Sequence, residues 1–144
     1  MVKKSAPKKL LVANRGEIAR RIALGAQGLG IETAAIYSGT ASPNFLAGLI
    51  TSFIKVDEEN PALYLNAALM VQLAKQAGCD ALHPGFGFLS ESAGFAALVE
   101  DNGLTWIGPS PQSIAKMASK AEARTIAKEQ QVPVVPGLER MSKV

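Results

Sequence analysis

Cysteine is nearly absent: Cys79 stands alone among 144 residues. A single thiol excludes a disulfide framework and a thiolate metal cluster. Its place beside Gly78 at a helix end predicts a small buried residue rather than a nucleophile. Histidine is as scarce, with only His83. One imidazole without a carboxylate cluster at ligand spacing does not build a zinc site, so no metal site is expected in these residues. No apolar run approaches the ~18 residues that a membrane helix needs, so no membrane partner is expected. Charge of one sign is also missing: the net +3 comes largely from Lys3, Lys4, Lys8 and Lys9. No basic stripe with interleaved aromatics follows them, and a nucleic-acid partner is not expected. Two phosphate-binding fingerprints are lacking as well. There is no Gly-x-x-x-x-Gly-Lys-Ser/Thr loop, and the first turn carries one glycine where a dinucleotide site needs three. A nicotinamide-dependent oxidoreductase therefore has no support at that turn.

What is present is apolar and regularly punctuated. Hydrophobic residues make up 48% of the chain against 19% charged, which suits a globular domain with one sizeable core. Lys9 to Ala13 reads as a strand buried on both faces. Asn14-Arg15-Gly16 turns it into a helix with Ile18, Ile22, Ala26 and Leu29 at helical spacing, ended by Gly28 and Gly30. Ile31 to Tyr37 is the second strand, so the chain opens β-α-β with a right-handed crossover. Ser38 to Asn44 reads as loop, and Phe45 to Ile54 divides into a helical turn and a strand from Ser52 to Val56.

A helix is predicted from Leu63 to Ala77, a strand from Asp80 to His83, and a helix capped by Ser90 that presents Phe95, Leu98 and Val99. Leu104 to Ile107 is a further short strand. Ser110-Pro111 starts one helix. The capping box Ser119-Lys120-Ala121-Glu122 starts another, running to about Gln131. Strands alternate with helices throughout, which predicts a single α/β domain with a doubly wound, Rossmann-like parallel sheet. Residues 1–8 read as a basic flexible arm, 9–132 as the domain, and 133–144 as an exit segment.

Three features bear on chemistry. His83-Pro84-Gly85-Phe86-Gly87 follows a strand and precedes a helix, the place where parallel sheets bind ligands. Its alternating glycines permit positive φ or close approach of the backbone to a ligand, although a packing turn would use them too. No nucleophile-base pair accompanies the loop, so it performs no acid-base work alone. At the first turn, Arg15 and Glu17 are compatible with a structural pair that locks Asn14-Arg15-Gly16-Glu17. Lys120 sits at the first helical position after Ser119, where a cation opposes the helix dipole at a cost of roughly 0.3–1 kcal/mol. An anion in front of the helix would reverse that cost, and a lysine extended into water would bear it.

Several stretches together resemble the N-terminal domain of biotin carboxylase, the ATP-dependent component of biotin-dependent carboxylases. They are Lys9-Leu10-Leu11-Val12-Ala13-Asn14-Arg15-Gly16-Glu17-Ile18-Ala19, Tyr64-Leu65-Asn66, His83 to Ser92, Ile107-Gly108-Pro109-Ser110 and Val132 to Gly137. The resemblance covers nearly the whole chain after the basic arm. It implies a pre-ATP-grasp domain of a ligase that phosphorylates bicarbonate with MgATP and carboxylates carrier-bound biotin. It also implies that Lys120 contacts ATP phosphate and that His83, Gly85, Phe86 and Gly87 form a loop facing biotin. Asn14, Arg15, Gly16 and Glu17 serve as a structural turn, and no catalytic residue lies in these 144. MgATP and biotin are then cofactors of the complete enzyme, neither held tightly here. The implied partners are an ATP-grasp domain, a biotin carboxyl carrier and a carboxyltransferase component. The implied compartment is the cytoplasm, or the mitochondrial matrix in a eukaryote.

The chain departs from the family at defined places. Ala118-Ser119 stand where relatives carry Gly-Asp, and Phe86 replaces a more usual tyrosine, which removes a hydroxyl. Gly39 to Ile50 replaces a polar, charged segment. Leu24, Gly25, Ala26 and Gln27 stand where relatives carry charges that serve subunit contacts. With no metal carboxylates and no lid, these residues alone are expected to lack bicarbonate-dependent ATPase activity. The alternative is a free-standing, non-catalytic α/β module derived from that domain, with Phe45 to Ile54 as its partner-binding patch.

Overall fold

The computed structural model describes residues 6–38, 43–56 and 61–135. The start of the basic arm, most of the loop expected at 38–44 and the exit segment beyond 135 lie outside the described residues. Five strands form one parallel sheet: β1 (Lys9–Val12), β2 (Glu32–Ser38), β3 (Ser52–Val56), β4 (Ala81–His83) and β5 (Thr105–Trp106). Their spatial order is β3-β2-β1-β4-β5. The register places Leu11 between Ala34 of β2 and Leu82 of β4. The chain thus winds outward from β1 through β2 to β3, then returns to build on the other side of β1. This is the doubly wound arrangement that the alternation of strands and helices predicts.

Helix α1 (Gly16–Gly28) covers one face of the sheet. Its buried residues are Ala19, Ala23 and Ala26, set against Val12, Ala35, Leu10 and Ala81. Alanines at helical spacing let the helix axis approach the strands closely. The expected stripe is thereby corrected at its ends. Leu29 falls after the helix and is 77% exposed, while Ile18 is only half buried. Gly30, at φ +70°, completes the stop.

The opposite face carries α2 (Ala67–Gln76), α3 (Ala93–Asp101) and α4 (Pro111–Ala118). Met70, Val71, Ala74, Phe95, Ala96 and Val99 close there on Leu11, Ala34, Ile36 and Leu82. The rings of Phe95 and Trp106 meet edge to face at 5.5 Å, a favourable aromatic geometry. Tyr64 anchors the segment before α2, because its buried hydroxyl donates to the Ile36 carbonyl at 2.9 Å.

Two helix starts differ from the sequence expectation. The helix expected from Leu63 begins only after Asn66, whose Oδ1 accepts the Leu69 N–H at 3.0 Å. Pro61–Leu65 form a separate 3-10 turn. Asparagine prefers such caps to helix interiors, since its side chain competes for backbone groups. The cap of α3 is Ser92 rather than Ser90. The Ser90 N–H turns back to the Gly87 carbonyl, and the Ser92 N–H to that of Leu89, so these turns consume the residues before the helix.

The split of Phe45 to Ile54 stands, with a 3-10 turn over Pro43–Leu46 and strand β3 from Ser52. Helix α5 (Lys120–Glu129) follows α4 directly through Ser119, and none of its residues is fully buried. It ends slightly before the expected Gln131.

Candidate functional site

The winding reverses beside β1, so the carboxyl ends of β1 and β4 flank a topological switch point. Open parallel sheets bind ligands at such a crevice. The two loops leaving these strands are the Asn14 turn and the glycine loop, both marked by sequence. The structure brings them together. The Asn14 amide Nδ2 donates to the Pro84 carbonyl at 2.8 Å and to the Phe86 carbonyl at 2.9 Å. Its Oδ1 accepts the Arg15 N–H at 2.9 Å.

The glycine loop takes a path that few side chains allow. Gly85, Gly87 and Phe88 all have positive φ, at +72°, +69° and +47°. For Phe88 this is a strained conformation. Its ring is held from outside the loop: Tyr64 stacks on it at 5.2 Å and the Arg15 guanidinium lies 5.6 Å from its centroid. A structural Arg15–Glu17 pair is therefore not how the turn is locked. Arg15 turns to Phe88, and the described residues show no ion pair with Glu17. Glu17 instead sits in the first turn of α1, where a carboxylate suits the helix dipole.

His83 closes the loop from its other side. Its Nδ1 accepts the Gly85 N–H at 2.9 Å, which requires a ring nitrogen without a proton. Burial holds the imidazole below the usual histidine pKa, in agreement with that bond. Phe86 is 74% exposed and, with His83, Gly85 and Ile18, borders one end of a cleft of about 620 Å³ that extends beside α1 to Leu10, Leu29 and Ile31 at the other end of the strands. That volume suits a small organic ligand or a docked side-chain cluster.

The site contributes contact surface and shape. His83 has committed Nδ1 to the loop. Burial pushes the Cys79 thiol up to about 11, with Lys9 opposing and Asp80 adding, so it is no nucleophile near neutral pH. Among the described residues no group of three or more His, Cys, Asp or Glu could hold a metal ion. No helix of the described residues is long and apolar enough to cross a membrane.

Lys120 stands apart from both loops as the first residue of α5, exposed, behind the Ser119 cap. The Ser119 hydroxyl accepts the Glu122 N–H at 3.3 Å. The remaining N–H groups of that first turn point out of the helix start, as an anion contact requires. The expected patch from Phe45 to Ile54 is only partly a surface: Leu46 and Ile50 enter the core, and Phe45 is 52% exposed.

Phe88 and Tyr64 were not singled out as site residues by sequence. A phenylalanine after a glycine has no local signal for positive φ, and Tyr64 reads as an ordinary apolar helix position. Asn14 did carry a signal, as a polar residue directly after a strand buried on both faces.

Comparison with known proteins gives one family. The family model described as "Biotin carboxylase, N-terminal domain" matches residues 6–114. Biotin carboxylase 1 of Bacillus subtilis is 45% identical over 131 residues, which is 90% of this chain and 29% of that protein. Mitochondrial pyruvate carboxylase of Rattus norvegicus is 43% identical over 139 residues, 90% of this chain and 11% of that protein. Among solved structures, the biotin carboxylase domain of a thermophilic 2-oxoglutarate carboxylase bound to bicarbonate superposes with a TM-score of 0.85. It is 40% identical and covers 94% of this chain and 31% of that one. The same domain bound to ADP without magnesium gives 0.83 at 41% identity, over 92% of this chain and 30% of that one. The chain thus spans under a third of the length of these relatives.

Proposed function

The chain belongs to the biotin carboxylase N-terminal domain family, and from that premise we propose that it is the first part of a biotin carboxylase. The complete enzyme uses MgATP and bicarbonate to carboxylate biotin on a carrier. The observation that carries this reading is the joining of the Asn14 turn to the glycine loop at the switch point. Both loops belong to the stretches that resemble the family. In this role His83, Gly85, Phe86 and Gly87 form the wall that faces biotin.

Lys120 contacts an ATP phosphate. The exposed lysine and the free N–H groups at the start of α5 fit an anion, and the related domain bound to ADP supports a nucleotide in the complete enzyme. The described residues do not fit a magnesium site, since they hold no carboxylate cluster. In this reading the magnesium ligands are supplied by an ATP-grasp domain on the same or another chain. A biotin carrier and a carboxyltransferase component complete the set of partners. The compartment is the cytoplasm or, in a eukaryote, the mitochondrial matrix.

The test is the intact mass and company of the protein in its native source, read with an antibody to this domain. The expected species is several times the 15.1 kDa of these residues, or a complex with a separate ATP-grasp chain. A free species of that small mass, with no such partner, would overturn the reading in favour of a non-catalytic module.

A further inference from the structure

We propose that Asn14 is the positioning residue of the glycine loop: the turn after β1 sets how Phe86 and Gly87 are presented to a ligand. The proposal rests on the reading that this loop faces biotin. Asn14 is 2% exposed, and both hydrogens and the oxygen of its amide are bonded. Both Nδ2 hydrogens go to carbonyls of the loop, at Pro84 and Phe86, and Oδ1 takes the Arg15 N–H. A carboxylate in the same place would lose both donors and face two carbonyl oxygens. An alanine would leave those carbonyls without the amide, and an unmade bond in a buried place is costly.

The loop has little to hold itself. Three of the four residues from Gly85 to Phe88 are left-handed, so no helix or strand ladder runs through them. Its own ties are the Gly85 N–H to the His83 ring and the Ser90 N–H to the Gly87 carbonyl. Asn14 brackets the residues between these ties from 70 and 72 positions away in sequence. The fit is close on the other side as well. A Cβ on Gly85 would stand 2.6 Å from Asn14 Nδ2 and 2.7 Å from Ile18 Cγ2. Phe86 projects into solvent, so its direction is inherited from its backbone, and its backbone carbonyl is one that Asn14 holds.

The experiment is NMR on this chain, reading through-hydrogen-bond couplings from Asn14 Nδ2 to the carbonyl carbons of Pro84 and Phe86. Both couplings are expected in the wild type. Asn14→Asp, which keeps the shape, and Asn14→Ala are expected to abolish them. The same variants should shift or broaden the amide signals of residues 85–88 while the Phe95 and Trp106 signals hold. Absent couplings in the folded wild type would overturn the proposal, as would an Asn14→Ala spectrum with unchanged signals over 85–88. In the assembled carboxylase, Asn14→Ala should raise the KM for biotin several-fold and leave the KM for ATP unchanged. An unchanged biotin KM beside a disturbed loop would defeat the positioning role while leaving the family reading intact.

Discussion

Tyr64 and Phe88 stack at 5.2 Å with their planes 28° apart, so a residue ahead of α2 supports the strained end of the glycine loop. The Tyr64 hydroxyl is itself tied to β2 through the Ile36 carbonyl. Tyr64→Phe keeps the stack and removes that bond. The expected loss is about 1–3 kcal/mol, the cost of leaving a buried acceptor unpaired. Tyr64→Ala removes the stack too and should cost about 3–5 kcal/mol, as for other large core truncations. Urea denaturation of the two variants checks the order; equal losses would show that the hydroxyl carries all of the effect.

Gly85 admits no side chain. Its φ of +72° costs a non-glycine residue roughly 1–2 kcal/mol. The close approach of Asn14 and Ile18 adds an overpacking term of about 1–3 kcal/mol. Gly85→Ala should therefore destabilise by about 2–5 kcal/mol in denaturant melts. Gly103 also has positive φ, but nothing lies within 4 Å of its added Cβ, so Gly103→Ala should show the backbone cost alone. Equal losses at the two sites would contradict the close fit around Gly85.

His83 predicts a pH dependence with a definite sign. Burial lowers its folded pKa below the unfolded value of about 6.5. On acidification the unfolded chain takes its proton first, so stability falls as pH drops through about 6.5 toward the folded pKa and levels off below it. His83 is the only histidine. Denaturant melts between neutral and mildly acidic pH should show this slope, and His83→Gln should remove it. A flat profile in the wild type would contradict a half-buried neutral imidazole.

Cys79 should be slow to react. It is buried and its thiol is pushed up to about 11, so little thiolate exists near neutral pH. A disulfide reagent such as Ellman's is expected to label it at the rate of chain opening, far slower than in denaturant. Labelling of the folded chain as fast as of the unfolded one would refute this.

The isolated chain should release no bicarbonate-dependent phosphate from MgATP beyond what the Lys120→Ala variant releases. Phosphate release above that control would place catalytic groups within these residues, against the proposed division of the enzyme.

Much of the fold was legible because strands and helices alternate with clear punctuation. The apolar run of β1, the Ser110-Pro111 start of α4 and the Ser119 cap of α5 are local signals, and the structure keeps them. Errors gathered where two local choices compete. Ser90 and Ser92 are equally good caps, and only the turns that end at Ser92 decide between them. Asn66 lies inside an apolar period that continues past it, so periodicity masks its capping role. In α1 the sheet selects alanines over larger neighbours, a choice that belongs to packing rather than to spacing. The site divided along the same line. The glycines of the loop announce an unusual backbone, whereas its ties to Asn14, Tyr64 and Arg15 are long-range and leave no mark in any short window.

The position of β1 in the middle of the sheet also orders events in time. Its partners are β2 on one side and β4 on the other, so a growing chain can pair the first edge early while the second waits for Ala81 to His83. With synthesis at ~5–20 residues per second, that delay lasts seconds. Until then β1 has one open edge, and the amide of Asn14 has no carbonyls to hold. The pocket wall is therefore completed among the later contacts to form, and a chain released before β4 would carry an exposed, aggregation-prone strand in place of a site.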